Sequence, residues 1–163
     1  MAITHSPRHF HPLPVIGHPE EWYKKHIEQA EAAGESLARC SFKVGQYVTL
    51  ALQPRRTWEE KAKHFHHALK HHCVPPHDAD AETVAFCQKL HAVVVRYASQ
   101  EALRLARDEH TGYSMRLEMG VTKDVLADEA DIFFPRLLGH GGRPEFLSEE
   151  AYQQIKSLRD HWI

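Results

Sequence analysis

The chain has 163 residues, of which 42% are hydrophobic and 26% charged, and a formal net charge of -2. This composition excludes disorder as the native condition, and the length predicts one domain with one core. The near-neutral charge gives no overall pull toward nucleic acid or an anionic membrane.

The first nineteen residues carry Pro7, Pro12, Pro14 and Pro19 together with His5, His9, His11 and His18. Prolines at that density exclude a continuous helix or a central strand, so residues 1–19 are expected to form an extended arm anchored by Phe10, Leu13 and Ile16. The helical domain is expected to occupy residues 20–163.

From Glu20 the apolar period becomes helical: Trp22, His26, Ala30, Ala33, Leu37, Ser41, Val44, Val48 and Ala51 follow at steps of three or four. Gly34 and Gly45 each cost about 1 kcal/mol relative to alanine in a helix interior, and "YVTLAL" taken alone reads as a strand. The stripe passes through both glycines in phase, which favours helix.

Pro54 ends this element. "TWEE" at 57–60 has the form of a capping box, and the second helix must stop near Cys73 because Val74 precedes Pro75 and Pro76. Asp78 and Asp80 offer N-caps for a third helix, expected to run to about His110 without an internal Pro or Gly. Its apolar positions, among them Val84, Cys87, His91, Val94, Ala98, Ala102 and Leu105 on one side and Phe86, Leu90, Val93, Tyr97 and Ala106 on the adjoining side, cover more than half its circumference. That places it at the centre of an all-α bundle of about five helices.

"TGYSMRLEMG" is expected as a loop. Thr122 then caps a fourth helix that Pro135 kinks and Gly139 closes, "GHGGR" at 139–143 is a cap and turn, and Ser148 caps a last helix. Its stripe is Ala151, Ile155, Leu158 and Trp162.

The chemistry concentrates in "HFHHALKHHCVPPHD", residues 64–78, which hold six histidines, a cysteine and an aspartate. On a wheel of about 100° per residue, with Trp58, Ala62, Phe65 and Leu69 toward the core, Glu60, His64, His67 and His71 form a row on the opposite side. Two roles suit such a row. It can be a solvated or partner-contacting face, or it can supply ligands to zinc or a similar divalent metal, because His67 and His71 stand one helical turn apart and zinc takes two such nitrogens among four ligands. His72, Cys73, His77 and Asp78 extend the metal candidates around the Pro-Pro turn. The His77-Asp78 pair resembles the metal-binding dipeptide of HD-type phosphohydrolases, which would imply a metal-dependent hydrolase. It lacks the preceding apolar run and following glycine of that pattern.

Residues 1–78 carry ten Lys/Arg, eight Asp/Glu and eleven of the fifteen histidines, whereas residues 79–163 carry ten Lys/Arg against fourteen Asp/Glu. The first half is therefore expected to gain positive charge on mild acidification. Arg55, Arg56, Lys61, Lys63 and Lys70 lie close to the histidines and suit phosphate contacts.

Elsewhere the constellations are incomplete. Arg104 and His110 have an R-x5-H spacing that resembles the signature of HEPN-type helical ribonucleases, but ion pairs among Glu101, Arg104 and Asp108 account for it more economically. Cys87 and His91 read as a core pair. Cys40, Cys73 and Cys87 form no CxxC and no disulfide framework, so a reducing, cytoplasmic setting is expected. No stretch approaches the ~20 apolar residues of a membrane span. The functional expectation is a non-enzymatic helical interaction module, or a small subunit of a larger assembly. It would bind protein or nucleic acid through Arg55, Arg56, Lys63, His64, His67, Lys70 and His71. A metal-binding protein or metal-dependent hydrolase built on residues 60–78 is the alternative.

Overall fold

The computed structural model describes the backbone of residues 35–162 and the side chains of residues 39–162. The expected arm over 1–19 and the stripe positions from Trp22 to Ala33 lie outside the described residues. Among those described, the regular structure is helical throughout: α1 (Glu35–Ala51), α2 (Trp58–His72), α3 (Ala81–Glu118), α4 (Lys123–Leu138) and α5 (Glu149–Asp160). None of these helices is long and apolar enough to cross a membrane. The chain divides into two compact units, Met1–Val95 and Arg96–Ile163, with the boundary inside α3.

In the first unit α1 continues through Gly45, so "YVTLAL" is helix, and Val44, Val48 and Ala51 are buried. α2 begins at the expected box: the Thr57 hydroxyl accepts from the Glu60 amide at 3.2 Å, and the Glu60 carboxylate accepts from the Thr57 amide at 2.9 Å. Two donors that the first helical turn leaves orphaned are thereby satisfied. Phe65, Ala68 and Leu69 are buried where α2 packs on α1.

Lys61 is buried among them at 2% exposure. Its ammonium donates to the carbonyls of Ala51 at 2.9 Å and Gln53 at 3.0 Å, which closes the C-terminal end of α1. This corrects the expectation that Lys61 belongs with the phosphate-contacting cations: its position one turn before Phe65 puts it on the core side, and the orphan carbonyls supply the partners a buried cation needs.

Asp80 caps α3 by accepting from the Thr83 amide at 2.8 Å. Phe86, Cys87, Leu90, Val93 and Val94 are buried, whereas His91 is exposed, so Cys87 and His91 do not form the expected core pair. The Cys87 thiol is pushed up by burial and then by the nearby Cys40. All three cysteines are free.

In the second unit Tyr97, Ala98, Ala102, Ala106 and Tyr113 are buried along the rest of α3. The helix outruns its expected end at His110 by two turns, through the segment read as a loop. Gly112 is tolerated because the following turn makes strong tertiary contacts. The Tyr113 ring meets Phe134 at 6.5 Å and Trp162 at 5.4 Å, and the Arg116 guanidinium pairs with both Glu129 carboxylate oxygens at 2.7 and 2.5 Å. The stop comes at Gly120, in the left-handed region at φ 96°. There the Gly120 amide donates to the Leu117 carbonyl and the Val121 amide to the Arg116 carbonyl, closing a Schellman motif.

Thr122 caps α4, which runs through Pro135 to a close at Gly139 with φ 81°. Leu126, Ala130, Phe134, Leu137 and Leu138 face its core. Ser148 caps α5 as expected, accepting from the Ala151 amide at 3.1 Å, and its own amide donates to the Ser99 hydroxyl of α3 at 2.9 Å. Ala151 and Ile155 are buried, while Leu158 and Trp162 are half-buried.

A histidine and lysine groove as the candidate functional site

The α2 row does not stand clear of the rest of the unit. Its core direction centres on Lys61, Phe65 and Ala68, which turns His64 and His67 onto the flank beside α1. There Tyr47 meets them: ring centroids lie 4.4 Å from His67, 6.0 Å from His64 and 5.5 Å from His72, the last nearly parallel at 17°. His67 and His71 are 4.4 Å apart one turn along. The sequence reading missed Tyr47, although it lies between Val44 and Val48 on the edge of the buried α1 stripe.

Tyr47 from α1 and Lys63, His64, His66, His67, Lys70 and His71 from α2 line an open groove of about 440 Å³. Among the described residues no carboxylate lines it. Lys63 and Lys70 are exposed and form no ion pair among the described residues, so their charge is available to a partner. Arg55 is exposed in the preceding turn, whereas Arg56 is tied down, donating to the Gln53 side chain at 3.0 Å and standing 3.6 Å from Glu60.

The other metal candidates are spread apart. Glu60 is engaged in the capping box, and the Thr57 amide holds its carboxyl below the usual range. Cys73 is buried at the end of α2, while His77 and Asp78 are exposed beyond the prolines. Among the described residues no three His, Cys, Asp or Glu side chains form a group able to hold a metal ion. The His67–His71 pair would need its remaining ligands from elsewhere.

Electrostatically the histidines oppose one another's charging. Burial lowers His64, with Arg56 next; burial and then His71 lower His67; burial and then His67 lower His72. Charging of His64, His67 and His72 therefore begins below the ordinary histidine range, at a lower pH than composition alone predicts.

The remaining candidate clusters are locally satisfied. Arg104 pairs with Glu101 at 2.7 Å and Asp108 at 3.2 Å, as the spacing predicted, and His110 is 3.0 Å from the His161 carbonyl oxygen. In the "GHGGR" turn, Arg143 donates to the Leu147 carbonyl at 2.7 Å and pairs with Glu149 at 3.2 Å.

Compared with known protein families, with curated proteins and with solved structures, the chain matches none.

Proposed function

We propose that this chain is a non-enzymatic helical interaction module, or the small helical subunit of a larger assembly, that docks an anionic surface of a protein or nucleic acid on its α2 face. Its setting in this reading is cytoplasmic. The observation that carries the reading is the lining of the groove: two ammonium groups, four imidazoles and a phenol, with no carboxylate among the described residues. Such a lining attracts phosphate or carboxylate and gives flat partner groups a surface to lie on. Lys63, Lys70 and Arg55 supply permanent charge, and His64 and His67 add charge as the pH falls.

The test is a titration of the full chain with a labelled single-stranded oligonucleotide and, separately, with a polyglutamate probe, at several salt concentrations. Binding that falls with added salt and drops about tenfold in the double variant Lys63→Ala, Lys70→Ala supports the reading. Failure to bind either probe at low salt sinks it.

The second reading, a metal-binding protein or metal-dependent hydrolase, is favoured by one observation, the close His67–His71 pair. Elemental analysis of untagged protein after dialysis against a mild chelator decides it. Stoichiometric metal that is lost on His67→Ala or His71→Ala would put this reading first.

A further inference from the structure

Among the described residues six large hydrophobic side chains are exposed, and four of them, Met115 (57%), Met119 (79%), Val125 (48%) and Ile132 (62%), belong to one hairpin in the second unit. Their register follows from a single contact. Arg116 of α3 is paired with Glu129 of α4 through both carboxylate oxygens, so these two residues face each other across the hairpin. On a wheel of about 100° per residue, Met119 and Met115 lie about 60° and 100° from Arg116, on the side turned away from buried Tyr113. Val125 and Ile132 lie about 40° and 60° from Glu129, on the side turned away from buried Leu126. By this register the two methionines and the two branched residues share one outward face of the hairpin, on either side of the ion pair, and the space between them is read as a groove.

Gly112, one turn before Arg116, shares this flank of α3, and a Cβ built on it meets nothing within 4 Å. The groove is thus open along α3, with room for another backbone to approach. On the same wheel the exposed side chains beyond this face are acidic: Asp128, Asp124 and Asp131 lie about 100°, 140° and 160° from Glu129 on the side of Val125 and Ile132, and Glu118 about 160° from Arg116 on the side of the methionines, while Arg136, about 20° from Glu129, is the exposed cation nearest the face.

We propose that this Met/Val/Ile groove between the C-terminal end of α3 and α4 docks a basic amphipathic helix of a partner protein. Exposed apolar side chains gathered in one place mark contact sites, and methionines fill such grooves because their unbranched thioethers adapt to the shape opposite. The rim selects the occupant. Carboxylates repel nucleic acid and an anionic membrane surface, and they oppose a symmetric pairing of this face with itself, which would set acid against acid. A helix with an apolar stripe flanked by lysine or arginine satisfies both the groove and its margins. This inference is independent of the α2 face and stands or falls separately from it.

The experiment uses the full chain and a fluorescently labelled helical peptide built only from Leu and Lys in an amphipathic pattern, with the Leu/Glu peptide of the same pattern as control. The Leu/Lys peptide is expected to bind at least tenfold more tightly than the Leu/Glu peptide. The double variant Met119→Ser, Ile132→Ser is expected to weaken it about tenfold with unchanged helix content and melting temperature. The triple variant Asp124→Asn, Asp128→Asn, Asp131→Asn should weaken it and flatten its salt dependence, whereas Lys63→Ala, Lys70→Ala should leave it unchanged. Equal binding of both peptides, or binding indifferent to the Met119 and Ile132 changes, overturns the proposal. Self-association of the unliganded chain that these same two changes abolish would overturn it in favour of a second copy as the occupant.

Discussion

The ammonium of Lys61 donates to the carbonyl of Ala51 at 2.9 Å, so a buried cation on α2 closes the end of α1. It also donates to the carbonyl of Gln53 at 3.0 Å, which accepts from the Arg56 amide as well, so the Ala51 carbonyl at the end of α1 depends on the ammonium more than the Gln53 carbonyl does. Lys61→Met keeps the apolar stem and deletes the donor. It is expected to cost about 2 kcal/mol, the magnitude of hydrogen bonds to a charged group, read as a lower urea midpoint at unchanged slope.

Stability should fall on mild acidification, in the direction set by the lowered histidines His64, His67 and His72. Above about pH 6.5 these rings are neutral in both the folded and the unfolded chain, and their full contribution is present. Below it the unfolded chain takes up protons first, so stability is lost until the pH has passed the depressed folded values. The groups facing these rings, Arg56 and Lys63 on the α2 side and Lys43 from α1, add to the repulsion, which Glu60 opposes at His64. Melting temperatures between pH 8 and pH 5 check this. His67→Gln should flatten the slope.

Tyr97 carries a buried hydroxyl with no hydrogen-bond partner among the described residues, and burial pushes its phenol up to about 12. Tyr97→Phe removes an unsatisfied polar atom and leaves the ring in place, so the variant is expected to match the parent or exceed it by up to about 1 kcal/mol. A thermal or urea melt reads this directly. A loss above 1 kcal/mol would mean that the hydroxyl is satisfied in solution.

Gly112 lies inside α3, with open space where its Cβ would be. Gly112→Ala is expected to stabilise the chain by about 1 kcal/mol through helix propensity and a less diverse unfolded state. The same methyl group narrows the groove beside Met115. Peptide binding and melting temperature should therefore move in opposite directions.

The helix starts were legible because their chemistry is local. Thr57 with Glu60, Asp80, Thr122 and Ser148 each announce a cap within three residues of sequence, and each is made. The end of α3 was not legible, because Gly112 is a local signal for stopping and what overrides it lies far downstream, in Glu129, Phe134 and Trp162. The candidate site divides in the same way. The α2 row could be read from periodicity, but the share of Tyr47 in it depends on how α1 lies against α2, and the diversion of Lys61 from the surface depends on carbonyls eight and ten residues upstream.

Cys87 gives the chain an internal clock. Its thiol is buried and held in the unreactive protonated form, while Cys40, also pushed up by burial, keeps partial access to solvent. A thiol reagent can reach Cys87 only when the segment of α3 around it opens. With reagent in the regime where closing outpaces modification, the labelling rate reports the free energy of that opening at one named position. One native side chain thus measures how tightly the helix is held, without a probe being introduced.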